Sequence, residues 1–416
     1  MQNPAFQAHI ARRKSWWQLL SSEPHRMMFF AGAVHSVAVM AWWLAELLAR
    51  YGGLYPAPAW SVPSMFVHAY LMIYGFLPFF IFGFLMTVTP NWLSSMQVPR
   101  ACFVPAALLM AGGVVLIYAG LGAGRPLLAA GVATQLAGWL WGGQGLLRLV
   151  AGNKTANTRY AAILLTLLAM GALGSAAFLV WLAGGHYWFQ AFALEAGVWF
   201  FLLPTFLVVS NRMVPFFSSR ILDDYEVYRP AWSVPALLAA CVAHGVLELA
   251  GARAWLWLVD APFAVVVAYL AWKWGFPRSF RVHLLAVLHI SLAVLTAALL
   301  FYVAQDVSEF AGAAAPFGLA PQHLLAIGYF GAMMMGMVSR VSLGHSGRPL
   351  VADRLTWWCY LGVLLTAALR VAAELAPVGG TRSALMMAAA ALWLCAFGLW
   401  TWRYLPMYVT PRVDAR

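Results

Sequence analysis

Apolar residues in this chain come in long runs separated by short polar stretches. Crossing a bilayer as an α-helix takes about 20 such residues. Twelve runs approach or exceed that length: 27–48, 65–88, 101–121, 127–148, 160–183, 188–210, 231–250, 254–272, 283–304, 321–340, 355–376 and 383–402. The pattern predicts an all-α polytopic membrane protein with about twelve transmembrane helices. The connections are short, so residues 27–405 read as one membrane domain. Residues 1–26 read as a cytoplasmic segment and 406–416 as a cytoplasmic tail.

Composition agrees. Hydrophobic residues make up 63% of the 416 and charged residues 9%, with a mean hydropathy of +0.79. Soluble domains carry roughly 25% charged residues, so soluble enzymes, nucleic-acid modules and disordered chains are excluded. The net charge of +12 comes from basic residues between apolar runs, not from one patch, so it points to lipid and not to nucleic acid. With the N-terminus inside, 20 of the 25 Lys and Arg residues fall on the cytoplasmic side. That predicts an inner (cytoplasmic) membrane protein of bacterial type with both termini cytoplasmic. Arg12, Arg13 and Lys14 precede Trp16 and Trp17, which reads as a segment touching the interface and not as a secretory signal. Cys102, Cys241, Cys359 and Cys395 form no CxxC and read as small buried hydrophobes.

An internal repeat is visible. His68 opens the second run, Glu195 lies in the sixth 127 residues later, and His323 opens the tenth after a further 128. Arg212 and Arg340 each follow by 17 positions, and Arg220 and Arg348 by 8 more. Three copies of four helices fit the length, although any evenly spaced twelve-helix chain would show a similar period. The first copy matches poorly, with Leu85 where the arginine belongs.

Ionisable residues inside a membrane are costly and so mark candidate sites. Here they are His35, His68, Glu195, His244, Glu248, His289 and His323, a set rich in imidazole and poor in carboxylate. Neutral imidazole suits haem iron or copper. His68 and His323 lie near the outer ends of two runs with the same direction and are placed to clamp one iron. Equally, each could donate to a backbone carbonyl between helices. His244 and Glu248, four apart, read as a structural pair or as a carboxylate-oriented metal ligand. Arg370 and Glu374 read as an ion pair near the outer surface. Met333, Met334, Met335 and Met337 read as a packing seam before a Cu(I) site. Arg340 and Arg348 are placed to bind an anion, or simply anchor the topology.

Three stretches together resemble the NnrS family of haem- and copper-containing membrane proteins linked to nitric oxide. They are HAYLMIYGFLPFFIFGFLMTVTPNWL at 68–93, SNRMVPFFSSR at 210–220 and HLLAIGYFGAMMMGMVSRVSLGHSGRPL at 323–350. The resemblance covers nearly the whole chain. Where the family often reads H-A-H-E, this chain has His68, Ala69, Tyr70 and Leu71, which leaves His68 as the one ligand candidate there. The twelve-helix plan is also similar to the catalytic subunit of haem–copper oxidases and nitric oxide reductases. There, helices 2 and 10 supply the axial histidines of the low-spin haem, though the oxidase binuclear pattern is missing here.

The resemblance implies an inner-membrane haem protein, with copper as a second candidate. It would act in the nitric oxide response, nitrosative-stress protection or denitrification, by binding NO or turning it over. A haem-dependent oxidoreductase acting on NO is one form of this, with a respiratory electron donor as partner. His68 and His323 would hold the haem, with His244 and His35 as weaker metal ligands and Glu195 as a proton relay. Arg212, Arg340, His345 and Arg348 would organise the cytoplasmic face. The competing readings are a cofactor-free multispan transporter and a structural partner of a respiratory complex.

Overall fold

The computed structural model describes residues 15–153, 157–313 and 317–415. Arg12, Arg13 and Lys14 therefore lie outside the described residues. After a single helical turn, Trp16–Leu20, twelve helices correspond to the twelve runs. They are α1 Pro24–Gly52, α2 Ser64–Trp92, α3 Arg100–Ala123, α4 Arg125–Ala151, α5 Arg159–Leu182, α6 Tyr187–Ser219, α7 Ser233–Leu249, α8 Trp257–Lys273, α9 His283–Phe310, α10 Ala320–His345, α11 Arg354–Leu375 and α12 Gly380–Val409. Among the described residues nine are long and apolar enough to cross a membrane; α4, α7 and α8 fall short of that standard. The expected count of twelve is thus approximate, and the chain is a multi-pass membrane protein.

Arg26 at the start of α1 donates to the carbonyls of Tyr408 and Thr410 at the end of α12, at 3.2 and 2.9 Å. The two chain ends therefore meet on one face, the terminal face. Helices α2, α6 and α10 begin at the opposite face. These three form the centre of the bundle. Of their most apolar stretches, 89, 78 and 83% is buried in protein, against 33–61% for the other six spanning helices. Less buried helices ring a core of three that are buried over most of their surface.

Each inner helix contains a π-helical segment: Leu71–Phe76, Ala196–Leu202 and Leu324–Gly331. Such segments are rare and concentrate at functional sites. In α2, Pro78 stands just beyond the segment and lacks the N–H that Tyr74 O would take in an α-helix; Gln135 Nε2 of α4 donates to that carbonyl instead, at 2.5 Å. The three segments start 125 and 128 residues apart. This corrects the repeat spacing expected from the histidines, 127 and 128. The residue equivalent to Glu195 and His323 is Tyr70, not His68, and the residue equivalent to Arg212 and Arg340 is Thr87, not Leu85. The chain thus folds as three four-helix copies, each contributing its second helix to the centre.

Helices α3 and α4 are joined by Gly124 and pack backbone to backbone. In lipid, close approach of small residues replaces the hydrophobic effect as a driving force. Glycines seven apart line the contact, Gly113 and Gly120 on α3 and Gly131 and Gly138 on α4. A Cβ on Gly120 would lie 2.2 Å from Leu128 N and 2.4 Å from its Cα. Backbone cannot yield as a side chain can, so Gly120→Leu is expected to cost about 3 kcal/mol or more, at the top of the overpacking range. Thermal unfolding in detergent measures it. A variant within about 0.5 kcal/mol of the parent would show that the hairpin is looser than drawn.

Candidate functional site

The starts of α2 and α10 bring two imidazoles together at the opposite face. His68 and His323 are both half-buried and lie within electrostatic reach of one another. His323 Nδ1 is 2.9 Å from the carbonyl of Leu319, one turn back. A carbonyl only accepts, so Nδ1 carries the proton and Nε2 of the neutral ring keeps its lone pair. His68 is held differently. Its ring stacks on Trp43 of α1 at 4.1 Å, and its buried Nδ1 has no partner.

Arg370 of α11 is within reach of both imidazoles. It pairs with Glu374 at 2.5 Å, as the sequence suggested, but its buried Nη1 has no partner. Arg382 shares the same Glu374 carboxylate. One carboxylate serving two guanidiniums leaves this corner net positive. Two imidazoles with free nitrogens beside an unsatisfied guanidinium form a donor set that suits iron bound in a carboxylate-bearing porphyrin. Arg370 was missed as a site residue because its i,i+4 partner seemed to explain it.

His244 lies in a separate cluster. Its expected pairing with Glu248 is corrected: Glu248 binds Arg253, while His244 Nδ1 meets both oxygens of Asp260 on α8, at 2.8 and 2.9 Å. Both members are buried, 1% and 0% exposed. Trp199 of α6 stacks on the imidazole at 3.3 Å, and its N–H reaches the Glu195 carboxyl. Tyr302 of α9 presents an edge to the same ring at 5.4 Å and donates to Gln322, the neighbour of His323. Glu195 thus sits beside the dyad and not between the two haem candidates. His35 points Nε2 at the π segment of α2, where a Cβ on Gly75 would be 3.1 Å away, and that nitrogen has no partner. His289 faces Ser218 Oγ at 3.2 Å. Neither His35 nor His244 belongs to a group of three close His, Cys, Asp or Glu donors among the described residues. Three cysteines are buried as expected, but Cys395 is exposed.

The remaining candidates lie at the terminal face, a helix length away from His68 and His323. Arg212 stacks on Trp92 at 4.4 Å and on Tyr160 at 5.2 Å. Arg340 stacks on Phe217 at 4.0 Å. Arg348 has a buried Nη1 without a partner. His345, the last residue of α10, meets Glu23 at 3.4 Å and the ring of His25 at 4.3 Å. The Glu23 carboxyl is held down to about 2, first by its hydrogen bond from His345, then by the charges of His25, His345 and Arg26 acting against burial. Glu23 and His25 were passed over because they lie in what read as a polar leader to the first run.

The family model of the NnrS protein matches residues 19–412. The chain belongs to the NnrS family. No curated protein matches it.

The three NnrS-like stretches fall one in each inner helix, the second covering only the terminal-face end of α6. Trp92 and Phe217 are 125 apart, and Arg212 and Arg340 are 128 apart. Each arginine therefore makes the same contact, onto an aromatic residue in the last turn of the preceding copy's inner helix. The inner helices line a half-open cavity of about 60 Å³. It is lined by positions 80, 81, 84 and 85 of α2, 205, 206, 209 and 210 of α6, and 333, 334, 337 and 338 of α10, again at intervals of 125 and 128. The lining is Phe, Ile, Leu, Val and Met with Thr205 and Ser210. Met333, Met334 and Met337 thus line a mainly apolar void on the repeat axis.

Proposed function

We propose that this NnrS protein binds haem and acts in the nitric oxide response, with His323 and His68 as ligands to the iron. The observation that carries the reading is the paired imidazoles at the starts of α2 and α10 beside the unsatisfied Arg370. Bound haem iron would supply a centre for one-electron exchange or for a diatomic ligand. This chain's own residues would do the rest. The Leu319 carbonyl fixes the tautomer of His323, so that Nε2 is always available. Trp43 covers one face of His68. The positive corner of Arg370 and Arg382, only half neutralised by Glu374, would hold a haem carboxylate.

With His68 and His323 holding it, the group would supply a centre at which NO could be bound. The mainly apolar lining of the cavity on the repeat axis supports this gas reading, because such a lining suits a small apolar molecule. Copper has weaker support, since among the described residues neither His35 nor His244 belongs to a group of three close donors. The excess of Lys and Arg on the terminal face favours an inner-membrane placement with both termini cytoplasmic. A respiratory chain component would be the electron donor.

The test is the oxidised and reduced absorption spectrum of the detergent-purified protein, with pyridine haemochrome and metal analysis on the same sample. One haem per chain with a low-spin spectrum is expected. A colourless protein from haem-supplied cells would overturn the reading and make cofactor-free transport the working one.

A further inference from the structure

The terminal face holds a second cluster, at the other end of α10 from the histidine pair. In the threefold pattern, an aromatic residue in the last turn of the inner helix takes a guanidinium from the next copy: Trp92 takes Arg212, and Phe217 takes Arg340. The third place is occupied by His345, and the residue that should reach it is Thr87, whose hydroxyl donates to its own helix at Gly83 O. The symmetry is broken on both sides of one contact. His345 turns instead to the start of α1.

There the Nδ1 atoms of His25 and His345 approach one oxygen, Glu23 Oε2, at 3.3 and 3.4 Å. The three donor atoms all lie within 4.8 Å of one another. Donors bound at about 2.0–2.2 Å around a tetrahedral ion stand roughly 3.3–3.5 Å apart. The His25 contact is not aligned as a hydrogen bond. The imidazole is 2% exposed, and its Nδ1 has no hydrogen-bond partner. A buried, unsatisfied nitrogen is costly in free energy, and a cation held between the three donors would remove that cost. We propose that Glu23, His25 and His345 bind one divalent transition-metal ion of the zinc class, clamping the start of α1 to the end of α10.

Two imidazoles and a carboxylate, with no thiolate, suit such an ion. Entry is open, because the His345 and Glu23 side chains are 37% and 45% exposed. The chain end closes over the neighbouring turn. Val413 N donates to Ser346 O at 3.0 Å, and Gly347 is left-handed at φ 73°, with Asp414 so close that a Cβ would lie 2.4 Å from its Oδ1. An ion here would fasten a corner where α1, α10 and the chain end already meet.

The experiment uses the full-length protein in detergent, stripped with chelator and titrated with Co²⁺ as a spectroscopic probe, then with Zn²⁺ in competition. One equivalent of Co²⁺ is expected to give the absorption bands of a low-coordinate N/O site, and Zn²⁺ to displace it. Losing an outer-shell partner of a metal site already costs about 10–100-fold in affinity. His345→Ala, His25→Ala and Glu23→Gln are each expected to weaken binding by about tenfold or more. Glu23→Gln is the decisive variant, because it keeps the shape of a half-exposed side chain and removes only the charge. Zn²⁺ should raise the Tm of the parent and not of Glu23→Gln. Absence of the bands in the parent, or parent-like Co²⁺ affinity in Glu23→Gln, overturns the site. His68→Ala and His323→Ala should leave this titration unchanged, which separates failure here from failure of the haem reading.

Discussion

Replacing His323 with alanine is expected to strip the protein of haem, whereas His68→Ala keeps haem bound but opens its iron to added ligand. The two imidazoles are held by different means. His323 is oriented by a hydrogen bond from its own Nδ1–H to the Leu319 carbonyl, so the ring pays little to present Nε2. His68 is held by stacking on Trp43 and has no hydrogen bond at its buried Nδ1. A ring fixed by stacking alone retains freedom to swing, and a gas competing for iron displaces the less tethered ligand. His323→Ala should lower haem content about tenfold or more, taking the cost of an outer-shell loss as a lower limit. His68→Ala should convert a low-spin spectrum to a high-spin one and bind CO or NO more readily than the parent. Pyridine haemochrome and ligand-difference spectra decide it. Equal haem loss in both variants would show that the ligands are equivalent, and parent-like spectra in both would remove the assignment.

Much of the fold could be read from hydropathy, because a bilayer allows few solutions to the backbone hydrogen-bonding problem. All twelve runs became helices, most of them extended beyond the predicted ends, as at Arg403–Val409 of α12. That His68 and His323 lie at the same face was legible for the same reason: helix direction fixes depth. What hydropathy does not carry is rotation and lateral packing. Aligning the copies on their histidines placed the first copy two residues out of register. The true marks are the π segments and the aromatic ends Trp92 and Phe217, neither of which has a hydropathy signal. Tyr70 occupies the equivalent of His323 and ties α2 to α4 and α5 through Gln135 and Ser175, at 3.1 and 2.9 Å.

The missed partners share a cause. Sequence spacing offered each ionisable group a neighbour on its own helix, Glu248 for His244 and Glu374 for Arg370. For His244 the true partner, Asp260, comes from the next helix. For Arg370 the same-helix pair is real, but a second guanidinium from Arg382 changes its charge balance. Glu23 and His25 meet His345 only because the fold brings the start of the first helix to the end of the tenth.

Removing the carboxylate of Asp260 is expected to be among the most destabilising single changes in the molecule. Both of its oxygens receive His244 Nδ1, at 2.8 and 2.9 Å, and neither residue is more than 1% exposed. Interhelical hydrogen bonds in membrane proteins average only about 0.6 kcal/mol, because the unfolded chain in lipid finds other partners. This contact differs in two ways. It joins an ionisable pair, and the imidazole is enclosed by the Trp199 face at 3.3 Å and the Tyr302 edge at 5.4 Å, so no substitute acceptor can enter. Breaking a buried pair from one side costs about 3–5 kcal/mol, while removing both partners costs much less. Asp260→Leu should therefore lower stability by that amount. His244→Phe combined with Asp260→Leu should recover a large part of the loss, because no polar atom is left unpaired. Thermal unfolding of the four proteins in detergent closes the cycle. A coupling below about 0.5 kcal/mol would show that the dyad is not a stability element. In that case the orientation of His244 would have to be explained by a ligand on its free nitrogen, and the metal content of His244→Ala is the measurement that would reveal one.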